Sequence, residues 1–292
     1  MKEILLTSSV LILALLLLRL LFRKTISRPV QRAAEAVAAN TMKRGCILVL
    51  DTATAAVCAS VSVPGYDPEH LADSLQAENS PFLNRALQSY AVGAESLLDA
   101  AKAFGFGQSL PLADGLAAEA GQLPTPQELA QSGQLANFSF GQGSLLATPM
   151  QVAAMFNTLA ADGVYRAPYV LQATLDETTG QPVETLSHPR GQRVIPAQSA
   201  ALLRAMLVQV VQQGTAQDAA GLSGGAGGKT GTAQTGQFTP EGTERCNLWF
   251  AGFWPAEKPR YTIVVLQDGA VHTAYSGAAI FAQVCTALEA AG

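Results

Sequence analysis

The chain opens on its longest apolar run. Ile4 to Phe22 is interrupted only by Thr7, Ser8, Ser9 and Arg19, and a run of that length spans a bilayer as one helix. No small-x-small cleavage pattern follows it. The pattern therefore predicts a retained membrane anchor over residues 1–24 rather than a cleaved leader. Lys2 precedes the run, while Arg23, Lys24, Arg28 and Arg32 follow it. Taken alone, that charge order would place the rest of the chain on the cytoplasmic side.

Beyond the run the periods shorten. Pro29 to Asn40 is proline-led and alanine-rich, which predicts a short helix inside a linker at 25–44. Cys46–Leu50 and Ala56–Val63 flank the polar Asp51–Thr54 and predict a hairpin, closed by Pro64-Gly65-Tyr66-Asp67-Pro68. Glu95 to Phe104 predicts an amphipathic helix ended by Gly105. Pro111 to Gln134, with Pro124 and Pro126, reads as loop, and Phe138 to Gly143 as a glycine-punctuated turn. Thr148-Pro149 opens a helix through Ala161, with Thr148 as N-cap and Pro149 in the first turn.

Val164 to Leu175 reads as extended. Pro196 to Gln213 is a helix with Leu202, Leu203, Met206, Leu207, Val210 and Val211 on its apolar face. Leu248–Phe253 and Tyr261–Leu266 are strands, and Ala274–Ala290 is a closing helix. Strands near both ends with helices between them predict an α+β domain over 45–292. Its antiparallel sheet is assembled from both ends of the chain and flanked by helices. There is no internal repeat.

Composition narrows the chemistry. With 292 residues and 49% hydrophobic content, the chain can bury a sizeable core. A net charge of −4 and no basic stripe argue against a nucleic-acid binder. The four cysteines, Cys46, Cys58, Cys246 and Cys285, show no Cys-x-x-Cys spacing, and only three histidines accompany them. Neither a metal site nor a cofactor is expected. Cys46 and Cys58 fall on the two strands of one hairpin, where they would face each other; sequence does not establish a disulfide.

The candidate chemistry lies in Gly224-Gly225-Ala226-Gly227-Gly228-Lys229-Thr230-Gly231-Thr232-Ala233. Lys229 is one of only six lysines. Glycines permit close backbone approach, and a lysine with neighbouring hydroxyls suits a bound anion. A phosphate loop needs glycine at position 223, but Ser223 stands there, and no apolar strand precedes the run. The other reading is the Lys-Thr-Gly strand of penicillin-recognising serine enzymes.

The remaining motifs favour that reading. They are Gly45–Asp51 with Val61–Pro68; Asn84-Arg85-Ala86; Phe140-Gly141-Gln142-Gly143 with Ala147–Gln151; and Gly228–Ala233 with Trp249–Phe253. In order and spacing, over residues 45 to 290, they resemble the transpeptidase domain of class B penicillin-binding proteins. The resemblance implies a transpeptidase or β-lactamase-like fold and a membrane-anchored, extracytoplasmic domain, against the charge order above. It also implies a peptidoglycan stem peptide or β-lactam as ligand, and cell-division or elongation proteins as partners. Lys229, Thr230, Gly231 and Thr232 would form the carboxylate-holding edge, with the Thr232 N–H as an oxyanion donor.

Two motifs of that family are missing. No lysine in the chain has a serine three residues before it, and no asparagine has a serine two before it. Tyr90-Ala91-Val92-Gly93 resembles the approach to the nucleophile. Ala94–Gly105 resembles a helix lying beyond the second motif. The chain is thus read as carrying an internal deletion near 93–94, with an incomplete domain and no nucleophile. Ser96 is the nearest serine, but Asp99 stands in the lysine's place, so Ser96 is read as helix surface. The expected consequence is a catalytically inactive chain with weak, non-covalent binding, and an apolar sheet face left bare. The alternative is a non-catalytic, membrane-anchored cell-wall or divisome binding module. Trp249, Phe250, Phe253 and Trp254 are read as sheet core, His272 as surface, Arg85 as a structural ion-pair candidate, and Ser139 and Gln142 as cleft floor.

Overall fold

The computed structural model describes residues 22–43, 45–63, 93–113, 115–139, 141–176, 179, 181–185 and 190–291. The apolar run up to residue 21, the Asn84-Arg85-Ala86 motif and the approach to Gly93 lie outside them. No helix among the described residues is long and apolar enough to cross a membrane. Residues 22–24, counted with the anchor on hydropathy, form strand β1 (Phe22–Lys24), which pairs antiparallel with Leu171–Thr174.

Helix α1 (Arg28–Thr41) carries Pro29 in its first turn, where an amide N–H would have no helical partner. It buries Val30, Ala34, Val37 and Ala38, one stripe at helical spacing. Strands β2 (Gly45–Asp51) and β3 (Val57–Val63) make the expected hairpin. Asp51 Oδ1 holds its turn by accepting from the Thr54 N–H at 2.8 Å and the Thr54 hydroxyl at 2.6 Å. Helix α2 (Ala94–Ala103) runs into Gly105, whose φ of +88° ends it.

The segment read as loop contains a small hairpin, β4 (Leu110–Ala113) with β5 (Leu116–Ala118), and two short helices, α3 (Pro126–Leu129) and α4 (Gln134–Ser139). Then follow α5 (Pro149–Ala160), β6 (Val164–Tyr165), β7 (Leu171–Leu175), β8 (Pro182–Thr185) and β9 (Gln192–Arg193). Helix α6 (Ala197–Gln213) leads to β10 (Gly227–Phe238), β11 (Glu244–Trp254), β12 (Tyr261–Ala270) and α7 (Gly277–Ala291).

The main sheet is antiparallel throughout, in the order β10-β11-β12-β2-β3. The two ends of the chain meet where β12 pairs with β2, from Tyr261 opposite Asp51 to Gln267 opposite Gly45. Strand alternation feeds a core on each face. Ile47 and Val49 join Phe250, Ile263 and the helices α1 and α7 on one side. Leu48 and Leu50 join Trp249, Val264 and α5 on the other. The Phe250 and Phe281 rings, 4.7 Å apart at 58°, seat α7 on β11.

Helix α5 is the central helix, buried at nine of its positions. The predicted cap is present as a reciprocal box between Thr148 and Gln151. Gln151 is fully buried, and its amide also donates to the carbonyls of Gly105 at 3.2 Å, Gln108 at 3.3 Å and Ala120 at 2.7 Å. Because α5 lies on the sheet, Trp249, Ala251, Val264 and Leu266 are buried. The expectation of a bare apolar sheet face is therefore corrected. Cys46 and Cys58 do not face each other either. Cys46 pairs with Ser62, and a bulge after Val49 changes the register before Cys58. The two thiols pack against opposite cores, and no disulfide joins cysteines among the described residues.

Candidate functional site

The Lys229 segment enters its strand through a turn made by Gly224 and Gly225, at φ +72° and +64°. Both are in the left-handed region that glycine tolerates. The next two glycines serve packing. A Cβ on Gly227 would lie 2.3 Å from Phe253 Cζ, and one on Gly228 2.3 Å from Phe250 Cζ. The close approach expected for a ligand is, at these two positions, an approach to aromatic rings.

Strand β10 is an edge of the sheet. Lys229, Thr230, Gly231 and Thr232 lie opposite Ala251, Phe250, Trp249 and Leu248 of β11, as read from sequence. Lys229 is half-buried, Gly231 buried and Thr232 exposed. The Lys229 ammonium donates to the Thr230 carbonyl oxygen at 2.9 Å. Burial holds its pKa below the usual lysine value. Among the described residues no carboxylate lies within ion-pair distance of it. The Thr230 hydroxyl is 2.7 Å from that of Thr215, just past α6. Thr215 carried no motif signal, since only the return of α6 toward β10 brings it there.

Lys229 faces a groove of about 520 Å³ between α2, α5 and α6. Among the described residues, only Ser139 and Lys229 bring polar side chains to its lining. Arg204 pins α6 above α5, with one nitrogen 2.7 Å from Asp162 and another donating to the Leu159 carbonyl at 2.8 Å. The apolar face predicted for α6 is there, but it is not closed over. Leu203, Met206, Leu207 and Val210 line the groove, Leu202 and Met206 are 58% and 53% exposed, and only Ala200 and Val211 of α6 are buried. Periodicity reports the stripe, not whether anything covers it.

The other candidates fall as follows. Ser96 and Asp99 are exposed on α2 and absent from the groove lining, and Asp99 approaches Lys102 at 3.9 Å. Trp249, Phe250, Phe253 and Trp254 are core, and the Trp254 indole donates to the Ser223 carbonyl at 2.7 Å. His272 is exposed and Gln142 half-buried, while Ser139 is buried against the groove. Arg85 lies outside the described residues. Among the described residues no group of three or more His, Cys, Asp or Glu side chains is placed to hold a metal.

This geometry has known counterparts. The family model described as the penicillin-binding protein transpeptidase domain matches residues 79–286. Penicillin-binding protein PbpB of Mycolicibacterium smegmatis is 36% identical over 194 residues, covering 61% of this chain and 28% of the relative. Peptidoglycan D,D-transpeptidase FtsI of Escherichia coli is 29% identical over 201 residues, covering 68% and 31%. The chain thus spans less than a third of the length of these curated relatives. In fold it is similar to penicillin-binding protein 3 of Mycobacterium tuberculosis complexed with ampicillin. The TM-score is 0.70 at 24% identity, over 89% of this chain and 75% of that one. The match over residues 79–286, on a sheet whose edge strand carries Lys229, shows that this chain belongs to the transpeptidase family of penicillin-binding proteins.

Proposed function

We propose that this chain is a penicillin-binding protein of peptidoglycan cross-linking that holds a carboxylate at Lys229 but forms no acyl-enzyme by itself. The carrying observation is that no Ser-x-x-Lys occurs anywhere in the sequence. An acyl-enzyme needs a serine oxygen to attack the substrate carbonyl and a base to take its proton. Ser139, the one serine among the described residues lining the groove, has Gln142 three residues on, and Ser96 has Asp99. Neither partner can act as the lysine would. In other serine enzymes, losing the nucleophile costs roughly a million-fold in turnover. An internal deletion near Gly93–Ala94 accounts for the order of the surviving motifs.

The rest of the reading follows the family. Ile4–Phe22 anchors the chain, and the domain stands on the extracytoplasmic side. The ligands are the carboxylates of stem peptides or β-lactams, bound weakly through Lys229, Thr230 and Thr232. Cell-division or elongation proteins are the partners. A second reading, a non-catalytic cell-wall binding module, is favoured by the half-buried Lys229 with no carboxylate beside it among the described residues, which suits binding without turnover.

The test is labelling with a fluorescent penicillin, followed by intact mass. No covalent adduct is expected, and an adduct overturns the reading. Sequencing the locus across the Gly93–Ala94 codons tests the deletion: a continuous reading frame supports it, and an intervening segment encoding a Ser-x-x-Lys refutes it.

A further inference from the structure

We propose that the groove beside Lys229 takes an amphiphilic carboxylate of the fatty-acid class, with its acyl chain along α6 and its carboxylate on Lys229. The inference rests on the reading that Lys229 holds a carboxylate and adds a further carboxylate class, one whose remainder fits the groove's apolar walls.

Three observations carry it. The first is the lining. At about 520 Å³ the groove is of small-molecule size, yet among the described residues only Ser139 and Lys229 bring polar side chains to its lining. A peptide laid along these walls, rather than along the open edge of β10, would strand its amide N–H and C=O groups against apolar side chains, which opposes binding. A hydrocarbon chain has no such groups to satisfy.

The second is shape. Leu203, Met206, Leu207 and Val210 recur at helical spacing along one side of the groove, a strip roughly 10 Å long at 1.5 Å per residue. An elongated strip suits a chain better than a compact ring system. Met155 and Met206 lie in the lining, and their unbranched side chains adapt to a flexible occupant. Leu202 and Met206 are exposed beside the groove, so the apolar surface continues outward as a mouth.

The third is charge. Lys229 is half-buried, with the Thr230 carbonyl oxygen as its hydrogen-bond acceptor and no carboxylate within ion-pair distance among the described residues. An anion compensates a cation in that setting far better than a neutral head group does.

The experiment uses the full chain in lipid nanodiscs and a diazirine-tagged dodecanoate, with cross-links mapped by mass spectrometry. Competitors are octanoate, decanoate, dodecanoate, dodecanol and an acetylated D-Ala-D-Ala peptide, each referred to its free aqueous concentration. Cross-links are expected on α2 and α6. Competition should strengthen about fourfold per added methylene, which is ~0.8 kcal/mol converted by RT. Dodecanol should compete at least tenfold more weakly than dodecanoate. Lys229→Met should lose at least tenfold in probe capture while keeping or raising its unfolding temperature, so that misfolding does not explain the loss.

Scattered cross-links, no dependence on chain length, or capture unchanged in Lys229→Met overturn the proposal. So does a concentration-dependent dimer that excludes the probe, which assigns the groove to a second copy of the chain. If the peptide competes through Lys229 while longer acids gain nothing, carboxylate binding stands and the acyl-chain site falls. A penicillin adduct refutes the inactivity reading and leaves the chain-length result to be judged on its own.

Discussion

Gly228 lies beneath the ring of Phe250, so close that a Cβ added to it would sit 2.3 Å from Phe250 Cζ and 2.8 Å from the Ala251 carbonyl oxygen. The second contact is backbone and has no room to yield. Gly228→Ala should therefore destabilise the domain by about 1–3 kcal/mol through overpacking, read as a lower denaturation midpoint. An unchanged midpoint would show that β10 does not lie on these rings.

Lys229 pays a solvation cost at neutral pH. Its folded pKa is below the ordinary 10.5 because burial disfavours the charged form. Between the two values the unfolded chain binds more protons than the folded one, so stability rises with pH across that window. Below the folded value the penalty is present in full. Lys229→Met should thus unfold at a higher temperature than the parent at pH 7, and its advantage should shrink as pH rises toward 10.5. Thermal melts from pH 6 to 11 check this; an advantage that grows with pH contradicts it.

Gln151 joins the start of α5 to three separate backbone carbonyls, those of Gly105, Gln108 and Ala120, while its own oxygen accepts from the Thr148 N–H at 2.9 Å. Gln151→Leu keeps the bulk and strands these groups, each at about 1–3 kcal/mol before relaxation. We expect a net loss of about 3 kcal/mol by urea denaturation. Thr148→Ala, which removes only the cap hydroxyl, should cost about 1 kcal/mol. Equal losses would show that the glutamine matters only as part of the cap.

Three of the thiols, buried Cys285 and half-buried Cys46 and Cys58, should be unreactive. Burial pushes Cys46 up to about 12 and Cys58 up to about 11, and raises Cys285 well above its ordinary value. At pH 7.5 less than about one in a thousand of each of the first two is thiolate, the reactive form. Iodoacetamide should spare all three in the folded protein and label them in urea. Mild oxidation should not link Cys46 to Cys58, because they lie against opposite faces of the sheet. Rapid labelling of Cys46 in the native state would refute its placement.

Legibility followed the range of the interactions involved. The cap at Thr148-Pro149, the stop at Gly105 and the turn at Asp51–Thr54 were readable because each is held by residues within a few positions. The β4–β5 hairpin escaped because its strands are only four and three residues long, too short for a period to show. Thr215 escaped because its partner, Thr230, is fifteen residues away and reached only through the α6-to-β10 connection. The role of Gly227 and Gly228 was misread because a glycine signals a need for closeness without saying to what; here it is Phe253 and Phe250.

The sequence alone determined the family, the elements that meet in the sheet, the position of Lys229 on a strand beside Leu248–Phe253, and the absence of any Ser-x-x-Lys. Those properties reside in residue types and their spacing. Only the tertiary structure decided that α5 covers the sheet, that Cys46 and Cys58 part to opposite faces, and that the α6 stripe borders an open apolar groove with Lys229 in its wall. A stripe of apolar residues states that a surface resists water. What meets that surface depends on segments far apart in the chain, and so on packing that no local pattern encodes.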